Sequence, residues 1–98
     1  MQDEILSSNA TRLVVRGKVQ GVGFRWWLRE RARELGLRGW VRNLPDGTLE
    51  VVAAGPRAAM QRLERLVQSG PPSAVVAEVV REDLTASSEL PFPFAIRT

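Results

Sequence analysis

The sequence predicts an α+β fold in which strand, helix, strand, strand, helix and strand follow one another, with a mainly antiparallel sheet and both helices on one face. Three observations carry this prediction. Two stretches place apolar residues at helical spacing, short runs of alternating or apolar residues flank each of them, and a Pro-Asp-Gly turn sits between the two central runs.

Thr11 to Gly17 alternates, with Leu13 and Val15 on one face and Arg12, Val14 and Arg16 on the other, as a first strand does. Lys18 to Gly23 carries Gly21 and Gly23 and reads as a loop. Phe24 to Leu35 sets Phe24, Trp27, Leu28, Ala32 and Leu35 on one stripe of a helix that Gly36 ends. Leu37 to Asn43 is a second strand, and Leu44-Pro45-Asp46-Gly47 turns it into a third, Thr48 to Ala54, with Leu49, Val51 and Ala53 inward. Gly55-Pro56 breaks that strand and opens a second helix with a buried stripe of Met60, Leu63, Leu66 and Val67. Gly70-Pro71-Pro72 stops it. Val75 to Glu82 is a fourth strand, and Phe92 to Arg97 a short last one. Each helix crosses between strands, so both pack on one side of the sheet, in the ferredoxin-like βαββαβ arrangement. Such a fold assigns no activity by itself.

The chain of 98 residues is the size of one domain, expected over residues 11–98, with residues 1–10 as a flexible N-terminal extension. No apolar run approaches the ~20 residues that span a membrane. The polar start, acidic at Asp3 and Glu4, does not read as a signal peptide, so a cytoplasmic location is expected. Cysteine and histidine are both absent. That excludes disulfides, thiolate nucleophiles and zinc–sulfur sites, and removes the commonest general base and metal ligand. Chemistry here must run on arginine, asparagine, carboxylates, hydroxyls and backbone amides, which suits binding an anion. The net charge of +3 is unevenly placed: between Arg25 and Arg42 six arginines face only Glu30 and Glu34.

The stretch Gly17-Lys18-Val19-Gln20-Gly21-Val22-Gly23-Phe24-Arg25 joins the first strand to the first helix. Glycines there let several amide hydrogens turn inward, and the helix start adds N–H groups without intrahelical acceptors. A phosphate suits such a place, and Arg25 can grip two of its oxygens. A simple turn with a solvated arginine suits it too, although a cation beside the positive end of a helix dipole is mildly unfavourable, by ~0.3–1 kcal/mol. Asn43 is equally open: asparagine is common before turns, yet in the alternation it shares the helix-covered face with Val41, where its amide can aim a water.

The run from Gly17 to Asn43 resembles the acylphosphatases. Their pattern is Gly-x-Val-Gln-Gly-Val-x-Phe-Arg followed by Ala-x-x-Leu-Gly-Leu-x-Gly-Trp-Val-x-Asn, and the second part stands here as Ala32, Leu35-Gly36-Leu37, Gly39-Trp40-Val41 and Asn43. Asp46-Gly47-Thr48, Glu50, Gly55 and the ending Phe94-Ala95-Ile96-Arg97 continue it. The resemblance implies hydrolysis of acyl phosphates to a carboxylate and inorganic phosphate, with no metal or other cofactor. It makes Arg25 the phosphate-binding arginine, Asn43 the water-orienting asparagine, and Gln20, Gly21, Val22, Gly23 and Phe24 the amide cradle. Leu28 and Leu44 stand where threonine is common in the family, and Thr98 where tyrosine is. Trp26 falls off the buried stripe, towards the mouth of that site; Trp27 and Trp40 read as core or sheet-packing residues.

Two other readings compete. The carbamoyl-phosphate-handling domain at the start of hydrogenase-maturation proteins shares Val-Gln-Gly-Val-Gly-Phe-Arg, but it works beside further domains with cysteine-rich motifs. A nucleic-acid module on a similar sheet would display paired aromatics on its central strands. This sheet offers Val14, Arg16, Glu50 and Val52 there, and the helix arginines interleave with glutamates as a solvated face does. The expected partner is therefore a small acyl phosphate, with inorganic phosphate as product and a monomer as the acting form; neither nucleic acid nor a membrane is expected.

Overall fold

The computed structural model describes residues 10–85 and 89–98. The expected extension over residues 1–10 lies, apart from Ala10, outside them. The elements are β1 (Ala10–Lys18), α1 (Phe24–Glu34), β2 (Arg38–Asn43), β3 (Leu49–Ala54), α2 (Arg57–Ser69), β4 (Val75–Leu84) and β5 (Ala95–Ile96). They form the ferredoxin-like α+β arrangement that the alternation and the helical stripes predict.

The five strands make one sheet in the order β4-β1-β3-β2-β5. The pairs β1–β3, β1–β4 and β2–β3 are antiparallel, and β5 joins the edge parallel to β2. Both helices lie on one face. Phe24, Leu28 and Ala32 of α1 and Met60, Leu63 and Val67 of α2 share a buried core with Leu13, Val15, Val41, Leu49, Val51 and Ala53 of the sheet. Leu66, placed on the buried stripe of α2 by spacing, is only half-buried, because the sheet covers a narrower arc of that helix. Leu35 is the C-cap of α1 rather than its last turn.

The opposite face of the sheet is not simply solvated. All of β3 is buried. Val52 and Ala54, which alternate away from the helices, are covered by Ala10, Leu90 and the half-buried Trp40 and Leu84. The last strand is shorter than Phe92 to Arg97 because the segment before it serves this cover instead. Gly39 N–H donates to Pro91 O at 2.8 Å and the Arg38 guanidinium to Leu90 O at 3.3 Å, which lays residues 90–92 along β2.

Beyond that apolar patch the same face carries a buried carboxylate. Glu50 is only 6% exposed, and its two oxygens accept from Arg12 Nε at 2.5 Å and Arg42 Nε at 2.6 Å. The register explains the trio, since Glu50 lies opposite Arg42 on β2 and Val14 on β1, with Arg12 one diagonal step away. Burial works against the charged carboxylate, but the hydrogen bonds and charges of the two guanidiniums outweigh it and hold Glu50 below its ordinary value of 4.5. A carboxyl whose folded value is depressed contributes stability above its unfolded value, and loses it as pH falls through the folded one. Glu50→Gln should therefore lower unfolding stability by about 1–3 kcal/mol at neutral pH, measured by denaturant titration. Its deficit against the wild type should shrink as the solution is taken below pH 4.5.

Candidate active site

The sheet register decides where the functional residues meet. Val15 pairs with Leu49, and Leu49 pairs with Asn43, so these three form one row across β1, β3 and β2. Strands β1 and β2 both run antiparallel to β3, so they point the same way and end at the same edge of the molecule. Asn43 is thus two strand spacings from Val15, about 10 Å, and the loop that leaves β1 starts beside it. Val15 and Leu49 are fully buried under the helices, so this row faces the layer that holds α1.

The loop that follows β1 turns on two glycines. Gly21 has φ 73° and Gly23 φ 78°, a left-handed backbone that costs an L-residue roughly 1–2 kcal/mol. Gly23 is also the N-cap of α1; it makes no side-chain capping bond, and no acidic residue stands in the first turn. The first intrahelical bond recorded is Trp27 N–H to Gly23 O at 3.0 Å. The amides of Phe24, Arg25 and Trp26 are therefore the donors an α-helix leaves over at its start, and no side chain caps them. Phe24 itself is buried, edge-on to Trp27 at 5.5 Å, and anchors the helix start in the core. Of the expected cradle, Gly21 and Gly23 are exposed, and Gln20 and Val22 half-buried.

Arg25 is half-buried in that first turn, and among the described residues it makes no ion pair and donates no hydrogen bond. Its neighbours differ. Arg29 approaches Glu30 at 3.3 Å and stacks 3.8 Å from the Trp26 ring, Arg31 pairs with Glu34 at 2.8 Å, and Arg33 donates to Phe94 O at 2.8 Å. The Arg29–Glu30 and Arg31–Glu34 pairs are exposed, as the interleaved charges of a solvated face are, and among the described arginines of α1 Arg25 alone has no bonded partner. A half-buried arginine in the same first turn as uncapped helix amides has the chemistry to receive a doubly charged oxyanion.

Asn43, last residue of β2, carries the complementary feature. Its Oδ1 is buried and accepts no hydrogen bond among the described residues. A buried carbonyl oxygen without a donor costs ~1–3 kcal/mol, so it marks a place where a donor such as water belongs. The hairpin after it is firmly built: Leu44 N–H donates to Thr48 O at 2.9 Å, and Asp46 Oδ1 accepts from the Thr48 hydroxyl at 2.6 Å and its amide at 3.0 Å. Those two bonds, the hydroxyl's first, hold the Asp46 carboxyl below its ordinary 3.8, which leaves it a poor proton acceptor.

The loop and hairpin are joined by Gln20, whose Nε2 donates to Leu44 O and Thr48 O, both at 2.9 Å. The sequence suggests Gln20 only as a backbone contributor; its side chain is turned to the hairpin. A glutamine among glycines and valines was the available signal. Leu28 is fully buried, so the position where threonine is common is here part of the core. Trp26 is 62% exposed, off the buried stripe as its spacing indicates, while Trp27 packs against the core.

Comparison with known proteins identifies the family. The acylphosphatase family profile matches residues 11–96. The acylphosphatase of Marinobacter nauticus is 48% identical over 84 residues, covering 86% of this chain and 91% of that one. The crystal structure of acylphosphatase from Bacillus subtilis superposes with a TM-score of 0.86 at 33% identity, covering 92% of this chain and 99% of that one. HypF from T. kodakarensis also aligns, with a TM-score of 0.80 and 27% identity over 92% of this chain, but only 12% of that longer one is covered. A family match from end to end of the sheet, and relatives of nearly the same length, decide the assignment: this chain belongs to the acylphosphatases, hydrolases that split an acyl phosphate into a carboxylate and inorganic phosphate.

Proposed function

We propose that Arg25 and the amides of Gln20, Gly21, Val22, Gly23 and Phe24 hold the phosphoryl group of the acyl phosphate, and that Asn43 orients the attacking water. The observation that carries this reading is the pair of unmet demands at one edge of the sheet. A half-buried arginine has no protein anion, and a buried amide oxygen has no donor, among the described residues. The substrate's phosphoryl oxygens answer the first and a water hydrogen answers the second.

In this mechanism the cradle and Arg25 neutralise the phosphoryl oxygens, and Asn43 Oδ1 accepts one hydrogen of a water aimed at phosphorus. The P–O bond to the acyl oxygen breaks as the water oxygen bonds to phosphorus, and the carboxylate leaves with the electron pair. A carboxylate is a good leaving group, so it needs no proton from the protein. The water's remaining acidic proton passes to a phosphoryl oxygen of the substrate. Positioning and charge stabilisation then supply most of the acceleration. A chain without histidine or cysteine is suited to such a path. The acting unit in this reading is the domain over residues 11–98, as a monomer in the cytoplasm; among the described residues no helix is long and apolar enough to cross a membrane.

Benzoyl phosphate hydrolysis separates the two roles. Arg25→Ala should lower kcat/KM by ~10³-fold or more and abolish inhibition by inorganic phosphate. Asn43→Ala should lower kcat by ~10²–10³-fold while inorganic phosphate still inhibits at the wild-type concentration. Activity that survives both substitutions contradicts the assignment. The pH–rate profile of the wild type should show no limb near neutrality that belongs to a protein side chain; a sharp one would contradict the substrate-borne proton transfer.

A further inference from the structure

The phosphate loop and the Asn43 hairpin are distant in sequence and are each built from irregular, glycine-bearing backbone. Among the described residues, the hydrogen bonds between them are the two from Gln20 Nε2, at 2.9 Å to Leu44 O and 2.9 Å to Thr48 O. A primary amide nitrogen carries two hydrogens, so both are committed to the hairpin. The two acceptors bracket the turn. Leu44 follows Asn43 directly, and Thr48 precedes Leu49, the residue paired with Asn43 across the strands. Thr48 O already accepts from Leu44 N–H at 2.9 Å, so Gln20 adds a second donor to the bond that closes the hairpin. The far end of the loop is tied elsewhere: Val22 O accepts from Ser73 Oγ at 3.2 Å, in the segment after α2.

We infer that Gln20 is a positioning residue for hydrolysis, its side chain setting the distance between the phosphoryl group in the loop and the water on Asn43. The inference rests on the roles proposed above for the loop and Asn43. Leu44 is bonded directly to Asn43, so holding its carbonyl restrains the backbone that carries the Asn43 side chain. Attack requires the water oxygen and phosphorus to be held at about 3–3.5 Å, and a misplacement of about 1 Å costs ~10²-fold in rate. The sheet row sets where the two segments leave it, and beyond it the Gln20 bonds are what tie them to each other among the described residues. Only a double donor bridges both carbonyls; a carboxylate in the same place would set its oxygens against them.

The test uses two near-isosteric changes that remove the donors, Gln20→Met and Gln20→Glu, with benzoyl phosphate as substrate and inorganic phosphate as inhibitor. Either variant that keeps a cooperative thermal transition should lose ~10–100-fold in kcat, with phosphate inhibition within about threefold of the wild type. In an Asn43→Ala background the same change should cost no more than about twofold further, because the residue it positions is gone. Wild-type kcat in Gln20→Met or Gln20→Glu overturns the inference. So does an undiminished loss in the Asn43→Ala background, or a loss of phosphate affinity in step with kcat, which would make Gln20 a mere support of the loop. If both variants unfold, Gln20→Asn gives the same readings, since its shorter amide cannot reach both carbonyls. An inactive wild type, or an active Asn43→Ala, strikes the proposed function instead.

Discussion

The site depends on one row of the sheet, in which Val15, Leu49 and Asn43 pair across β1, β3 and β2. The pairing brings the exit of β1 and the end of β2 to one edge although 27 residues separate Val15 from Asn43. A slip of one residue in the β2–β3 ladder would turn Asn43 away from the helices, and one in the β1–β3 ladder would do the same to Val15, because side chains alternate faces along a strand. Burial of Val15, Val41, Leu49 and Val51 guards against that slip, since it would carry these apolar side chains to the other face. Core packing and site geometry are therefore the same constraint seen from two sides.

The outer face of the sheet serves that register differently. Glu50 binds Arg12 of β1 and Arg42 of β2 at once, so one carboxylate cross-links three strands next to the row that matters. Arg42 immediately precedes Asn43, and its guanidinium also lies over Trp40 at 5.1 Å. A buried ion pair contributes less to net stability than its Coulomb attraction suggests, because both charges lose water. Its value here is geometric: in any shifted register Glu50 would be buried without its partners.

Much of this is legible in the sequence because it is written in local patterns. The alternation of Leu13 and Val15, the stripe of Phe24, Leu28 and Ala32, and the Pro45-Asp46-Gly47 turn each depend on neighbours along the chain. Arg25 and Asn43 stand out through the family resemblance, since chemistry alone leaves an arginine at a helix start and an asparagine before a turn open to simpler readings. What sequence patterns miss are contacts between distant segments. Val52 and Ala54 look solvent-facing until residues 90–92 are seen lying along β2. Arg29 and Arg33 look unattached until the Trp26 ring and the Phe94 carbonyl are placed beside them. Gln20 looks like a loop residue because both its acceptors are backbone carbonyls, which carry no signature of their own in a sequence.

The chemistry follows from what the chain lacks as much as from what it holds. Without histidine or cysteine it offers neither the usual base nor a thiolate, and it presents charge, amides and one buried amide oxygen without a donor among the described residues instead. That equipment suits attack at phosphorus by water, not attack by the protein on the acyl carbon. The most direct test is hydrolysis of benzoyl phosphate in water enriched in oxygen-18, with both products analysed by mass spectrometry. Label in inorganic phosphate and none in benzoate is the predicted result; label in benzoate would place attack at the carbonyl carbon and contradict the account.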